Sequence, residues 1–341
     1  MALINPSSAA TAKVRSMYGK RLKLKDYQNM AKCENISEII QYLKAYTHYH
    51  EALDKISNQV HRGNLESTLR EKQFEKYLAL CKYCSGSLPV TEYYLRSCEI
   101  TELMRKITLL SINRPEEYIF ALPLYLMRHT DLDLEAMSAA HTHRELLDAL
   151  IKTEYHDIVA QFPPNESGDY DLAAVEDALI NHSLKKLYDD IEKIKNKKDR
   201  NQFKELFNTL IDYSNYSRII RLKKYYNLNN EAVRSHLLVY GSLTGKRLDR
   251  ILSKEELSEI REELSRTSVG KKAATIDKNS EMAIQGRFNK CRHELYFSTN
   301  PEIIMLAYYI LSETELSNLI AVIEGVRYKT KPEDILALLI M

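Results

Sequence analysis

Apolar residues recur three and four positions apart along most of the chain. Ile36, Ile39, Ile40 and Leu43 form one such stripe, and Leu146, Leu147, Leu150 and Ile151 form another. That spacing puts the apolar side chains on one face of a helix with 3.6 residues per turn. Runs that alternate apolar with polar and are rich in β-branched residues, the mark of a half-buried strand, are nearly absent. The pattern predicts an all-α protein. Breaks are expected at residues 85–89, 163–170, 241–245 and 267–279, where Gly, Pro, Ser and Asn collect. The basic run at 193–200, KIKNKKDR, reads as a solvated helix end.

A second pattern lies on top of the helical one. An acid, two residues, Glu or Asn, Leu or Tyr, three residues and Ile occur at Glu99–Ile107, Asp212–Ile220 and Glu315–Ile323, with starts 113 and 103 residues apart. Each copy is followed, 16 to 18 residues after its acid, by a helix-start signal: Pro115-Glu116-Glu117, Asn230-Glu231-Ala232 and Pro332-Glu333-Asp334. Proline or asparagine ahead of acids suits a first helical turn, where backbone N–H groups lack partners and the helix dipole favours negative charge. Ahead of each copy stand Leu43-Thr47-Tyr49, Leu150-Thr153-Tyr155 and Leu264-Thr267-Val269. Three signatures in one order, three times over, imply a triplicated helical module. The modules are expected at residues 1–105, 106–215 and 216–341. Glu99, Asp212, Asn215, Glu315 and Asn318 are its structural motif residues. One module cannot bury its apolar face alone, so the three should pack together.

Composition narrows the function. A formal charge of +2 over 341 residues leaves no excess of cations to drive polyanion binding, and no nucleic-acid partner is expected. The 23 tyrosines, with no tryptophan, suit half-buried helix faces and protein interfaces. The longest apolar run, residues 303–311, is far short of the roughly 20 residues of a membrane span. The N-terminal MALINPSSAATAKVR has no secretory core, and five irregularly spaced cysteines fit a reducing compartment. A cytoplasmic protein without membrane insertion is expected.

Sites of small-molecule chemistry are not expected. Cys81-Lys82-Tyr83-Cys84 has zinc or redox spacing but no second ligand pair nearby. His48 and His50, like His141 and His143, are two apart and point to different helix faces, whereas helical ligand pairs sit three or four apart. Gly241-Ser242-Leu243-Thr244-Gly245-Lys246 has one residue too few between its glycines for a phosphate loop, and arginine where a magnesium-binding hydroxyl belongs. The motif acids are spread over the modules rather than converging on one pocket. No catalytic, cofactor-binding or metal-ligating residue is assigned, and no cofactor is expected.

Several segments carry a family resemblance: KVRSMYGKRLKLKDY near the start, the Leu-x-x-Thr-x-Tyr pattern, DYSNYSRIIRLKKYYNL in the middle, and ELSNLIAVIEGVRYKTKPEDILALLI at the end. Together they resemble the C subunit of V/A-type rotary ATPases, the equivalent of the d subunit of the eukaryotic vacuolar enzyme. The resemblance implies a non-catalytic central-stalk part, monomeric in isolation and peripheral at the cytoplasmic face of the membrane. Its three helical modules would form a pseudo-threefold funnel that couples the rotating D/F shaft to the membrane proteolipid c/K ring. Basic residues follow each motif helix: Arg114, then Arg221, Lys223 and Lys224, then Arg327 and Lys329. They are candidates for partner binding, against the plainer reading that they complement helix C-termini. The alternative function is a free-standing cytosolic helical-repeat scaffold. A helical hydrolase using the histidine-rich segments is a further reading, and would carry metal.

Overall fold

A computed structural model describes residues 6–54, 62–83, 89–267 and 281–341. Every regular element among them is helical, as the apolar periodicity predicts. The longer helices are α1 (Pro6–Gly19), α2 (Arg62–Cys81), α3 (Pro89–Ser111), α4 (Leu172–Glu192), α5 (Lys197–Tyr225), α6 (Glu281–Phe297) and α7 (Pro301–Arg327). Contacts divide the chain into two units, one of residues 1–88 with 288–341, the other of residues 89–287. The module limits read from the sequence, at 105/106 and 215/216, fall inside α3 and α5.

In the first unit, α7 is the central element. Ile303, Ile304, Met305, Leu306 and Ala307 are buried in succession, so this stretch is covered on every side. Asn300 starts the helix by accepting from the N–H groups of Glu302 and Ile303, and Pro301 occupies the first position, where no N–H is needed. α1 and α2 pack along α7. The rest of the core comes from Leu22, Tyr27, Met30, Ile39, Ile40 and Leu43 on the short helices Leu24–Met30 and Ile36–Tyr46 and the turn before them. The second short helix carries a reciprocal cap: Asn35 accepts from Glu38 N–H at 3.1 Å, and the Glu38 carboxylate accepts from Glu34 N–H at 2.9 Å.

In the second unit, α3 and α4 pack along one another. Tyr93 of α3 meets Phe207 of α5 edge-on, with ring centres 5.2 Å apart. The basic run at 193–200 is largely exposed and forms two helix ends, the close of α4 and the start of α5. Lys193 closes α4, and the Asn196 side chain opens α5 by accepting from Lys198 and Asp199 N–H. Two charged helix ends can share four residues because the Asn cap restarts the backbone ladder at once.

Gly286 decides how closely α6 approaches α5. A Cβ at that position would lie 2.2 Å from the Tyr213 ring. In an open helix, Gly→Ala stabilises by about 1 kcal/mol; here the sign reverses, because a buried ring on the facing helix must move. Gly286→Ala is expected to lower stability by about 1 to 3 kcal/mol, the range for overpacking a core, measured by urea unfolding. A stabilised variant would show that the ring has room to yield.

Candidate functional site: buried carboxylates on three long helices

The three motif acids sit on α3, α5 and α7, the helices the sequence repeat marks. Each is held by donors from chain segments far away in sequence. Glu99 accepts from the Thr130 hydroxyl at 2.7 Å and the Tyr155 hydroxyl at 2.6 Å. Asp212 accepts from Ser242 N–H at 2.7 Å, Leu243 N–H at 3.1 Å and the Ser242 hydroxyl. Glu315 accepts from Leu22 N–H and the Tyr49 hydroxyl, both at 2.8 Å. Burial raises the pKa of all three carboxyls, and the hydrogen bonds to each oppose the rise. A carboxylate on a helix thus clamps a loop by gathering its loose N–H and O–H groups.

The Thr-x-Tyr signature is the other half of this clamp. Thr47 donates to Leu43 C=O at 2.7 Å and accepts from Tyr49 N–H at 3.2 Å. Thr153 donates to Leu150 C=O at 2.8 Å and accepts from Tyr155 N–H at 3.3 Å. This local turn aims each tyrosine at an acid. In sequence, Tyr49 precedes Glu99 and Tyr155 precedes Asp212. The structure gives Tyr155 to Glu99 and Tyr49 to Glu315. Thr267 makes the same bond to Leu264 C=O, at 2.6 Å; Val269 lies outside the described residues. Beside Asp212 the hydroxyl comes instead from Ser242.

The loop that imitates a phosphate motif has the same purpose. Gly241 has φ near +103°, a conformation L residues rarely adopt, and a Cβ there would lie 2.5 Å from Asp212 Oδ1. The turn directs two successive N–H groups at one anion, as phosphate-binding nests do. The anion is the protein's own carboxylate.

Three residues beyond Asp212 and Glu315, the asparagines act as backbone clips. Asn215 donates to Leu238 C=O and accepts from Leu238 N–H, both at 2.9 Å. Asn318 donates to Ile340 C=O at 2.7 Å and accepts from Ile340 N–H at 3.0 Å. In the first copy Glu102 holds this place and accepts from the Tyr118 hydroxyl at 3.3 Å. The helix ends match as well. The non-glycine residues with positive φ among the described residues are Asn113, Asn227 and Lys329, each two residues past the end of α3, α5 or α7. Two of these ends close in the Schellman pattern: Arg114 N–H to Leu109 C=O at 2.8 Å, and Thr330 N–H to Gly325 C=O at 2.9 Å. Helices then restart at Pro115, Asn230 and Pro332, the three predicted positions.

The basic candidates occupy these turns. Arg114 is exposed and pairs with Glu117 at 3.2 Å. Arg221 is exposed. Lys223 donates to Asn230 at 2.5 Å, and Lys224 lies over the Tyr225 ring at 4.7 Å. Arg327 pairs with Glu324 at 3.5 Å and covers the Tyr328 ring at 4.9 Å. Lys329 is the residue in the left-handed turn itself.

Two buried groups had no sequence signal beyond an unexpected charge on an apolar stripe. Lys106 is fully buried in the second unit, where it donates to Pro115 C=O at 3.0 Å and Ser138 C=O at 3.4 Å, and burial lowers its pKa. Arg218 pairs with Asp177, which also meets His236 Nδ1 at 3.0 Å. Among the other sequence candidates, His50 Nδ1 faces Lys44 C=O at 3.0 Å and His143 Nδ1 faces the Tyr170 hydroxyl at 3.1 Å. Cys81 ends α2, and Cys84 lies outside the described residues. No group of three His, Cys, Asp or Glu that could hold a metal occurs among the described residues. No helix there is long and apolar enough to cross a membrane.

His48 lies 3.5 Å from Glu315. Burial, with Lys76 nearby, lowers its pKa to about 4. The folded protein therefore keeps this imidazole neutral while the unfolded chain protonates it below about pH 6.5. Its contribution is complete above that value and is lost as pH falls toward about 4. The raised carboxyls titrate in the opposite sense, so the His48 effect is read as a difference. Melting temperature should fall more steeply from pH 7 to pH 4 in the wild type than in His48→Gln; parallel curves would assign the imidazole an ordinary pKa.

The described residues form an all-α protein in which α3, α5 and α7 each carry a buried or half-buried motif acid that grips a distant loop. Residues 10–338 match the family described as ATP synthase (C/AC39) subunit, and the chain belongs to that family. It is 23% identical to the C subunit of the A-type ATP synthase of Methanosphaera stadtmanae over 271 residues, 78% of this chain and 67% of the relative. It is 26% identical over 217 residues to the corresponding C subunit of Methanosarcina acetivorans, and 25% identical over 217 residues to that of Methanosarcina mazei. Those two matches span 63% of this chain and 58% of each relative.

Proposed function

We propose that the protein is a non-catalytic central-stalk component of a V/A-type ATPase, seated at the cytoplasmic face of the membrane. It couples a D/F shaft to the proteolipid ring during ATP-driven proton or sodium transport. Three modules packed as a pseudo-threefold funnel give the body its form. The observation that carries the reading is the family match over residues 10–338. The clamps support it: torque passes through packed contacts, and loops gripped by buried carboxylates and asparagine clips give stiff junctions. Coupling of this kind requires no catalytic group of its own.

Affinity purification from the native membrane tests the proposal. Shaft and ring proteins should co-purify in stoichiometric amounts; recovery of unrelated cytosolic proteins in their place would favour a free-standing scaffold. For the working surface we propose the basic turns at Arg114, Arg221, Lys223, Lys224, Arg327 and Lys329. Exposed ion pairs contribute only about 0 to 1 kcal/mol each, so Arg221→Ala alone should change little. Replacing Arg221, Lys223 and Arg327 together by glutamate should reduce co-purification, more strongly at low salt, with the helical circular dichroism intact. Wild-type recovery by the folded triple variant at all ionic strengths would move the interface elsewhere.

A further inference from the structure

Charge is distributed unevenly along the chain. Residues 13–32, KVRSMYGKRLKLKDYQNMAK, hold seven basic residues and one acidic, against a formal charge of +2 for all 341. Lys13 on α1, Lys20 and Lys23 in the turn after it, and Lys25 on the short helix Leu24–Met30 are exposed, and none of the four forms an ion pair among the described residues. The single acid does not neutralise them: Asp26 accepts from Lys23 N–H at 2.7 Å and from the Tyr42 hydroxyl at 2.9 Å. The arginines of the segment are engaged locally. Arg15 donates to the carbonyls of Leu295, Tyr296 and Ser298 at 2.9, 3.0 and 3.1 Å, and Arg21 to Tyr18 C=O at 3.3 Å. Arg15 thereby holds α1 against the end of α6, where Tyr296 is 48% and Phe297 72% exposed. Leu24, 50% exposed, stands between Lys23 and Lys25 and borders one cleft with the exposed Arg292 of α6. This face of the first unit therefore mixes free lysines with projecting apolar side chains.

We propose that this face docks the chain on the headgroups of an anionic phospholipid bilayer. Clusters of roughly four to eight basic residues gather at such surfaces because each cation is attracted by the negative potential of the leaflet. Aromatic and leucine side chains beside lysines add a second contact, in which apolar surface leaves water while the ammonium groups stay with the phosphates. The chemistry favours lipid over an acidic protein. A fixed carboxylate on a protein partner is best met by the forked guanidinium of arginine, yet Arg15 and Arg21 face backbone carbonyls, and the free cations are lysines on flexible stems. Mobile headgroups require no fixed geometry, and Leu24 and Phe297 suit an interface that is apolar just beneath its charge. The contact is peripheral, since no helix among the described residues is long and apolar enough to cross a membrane. It goes beyond the rotary role, because it gives the isolated chain its own affinity for lipid, without ring or shaft.

Co-sedimentation of the purified full chain with vesicles provides the test. Vesicles of phosphatidylcholine with roughly one-third phosphatidylglycerol should bind the chain saturably, vesicles of phosphatidylcholine alone should not, and binding should weaken as salt rises from about 50 to about 200 mM. Lys23→Gln combined with Lys25→Gln should weaken binding about 20-fold, near fivefold for each lysine. Phe297→Ser should weaken it about fivefold and leave the salt dependence unchanged, the mark of an apolar contact. Circular dichroism should show these variants folded. The control pair, Lys197→Gln with Lys198→Gln, removes the same charge from an exposed helix start in the second unit and should bind as the wild type does. Absence of binding to the anionic vesicles at about 50 mM salt overturns the proposal, and so does an equal loss in the control pair, which would mean diffuse attraction. Binding to poly-L-glutamate that matches the vesicles in affinity and ignores Phe297→Ser would reassign the face to an acidic polypeptide and overturn it too.

Discussion

Asp212→Ala should destabilise the protein by about 3 to 5 kcal/mol, while Asp212→Asn should stay within about 1 kcal/mol of the wild type. The alanine leaves Ser242 N–H, Leu243 N–H and the Ser242 hydroxyl without their acceptor. These groups lie in a turn held open by the positive φ of Gly241 and packed around Leu243, which is 3% exposed. Water cannot replace the acceptor without opening the turn, and each stranded buried donor costs about 1 to 3 kcal/mol. Asparagine keeps an oxygen for both N–H groups, offers its own N–H₂ to the hydroxyl, and removes a charge that burial disfavours. Urea unfolding of the two variants decides it. Equal losses would mean that the negative charge, and not the acceptor geometry, holds the turn.

Asp177→Ala is expected to be as damaging, by about 3 to 5 kcal/mol, for a different reason. Arg218 pairs with Asp177 and donates to His236 C=O at 2.7 Å, and the aspartate side chain is 9% exposed. Removing the acid strands a guanidinium that is mostly shielded from water, and His236 loses its carboxylate partner too. The pair as a whole need contribute little, because desolvating two charges offsets much of their attraction. Asp177→Leu combined with Arg218→Met should therefore recover most of the stability lost by Asp177→Ala. A double-mutant cycle measures the coupling, and a double variant as unstable as the single one would show that the site needs its charges and not merely their mutual neutralisation.

Both predictions concern groups whose importance was unevenly legible. Asp212 stood out because its place in the sequence repeat matches Glu99 and Glu315. Asp177 and Lys106 had no such signal. Lys106 holds the position that is Ile219 in the second copy and Val322 in the third, so periodicity reads it as an interruption of an apolar stripe. In the fold it is fully buried and serves two backbone carbonyls. The loop at 241–245 was legible as a chain reversal, but the purpose of its glycine appears only with Asp212 beside it.

The sequence by itself determined the helices, their starts at Pro115, Asn230 and Pro332, and the recurrence of the motif acid at Glu99, Asp212 and Glu315. These follow from interactions spanning a few residues: apolar spacing, capping, and the missing N–H of proline. Tertiary structure alone decided which partner each motif received. Tyr49 lies 50 residues before Glu99 in the chain, yet it donates to Glu315, 266 residues away. A Thr-x-Tyr turn presents the same hydroxyl wherever it occurs, and three similar acids offer it the same acceptor. The choice among them is made by the packing of whole helices, which brings the start of the chain onto α7 and buries Leu22 and Leu43 with Leu319 and Val322. Local preferences are nearly equal for the alternative pairings; the buried apolar area gained by one arrangement is not.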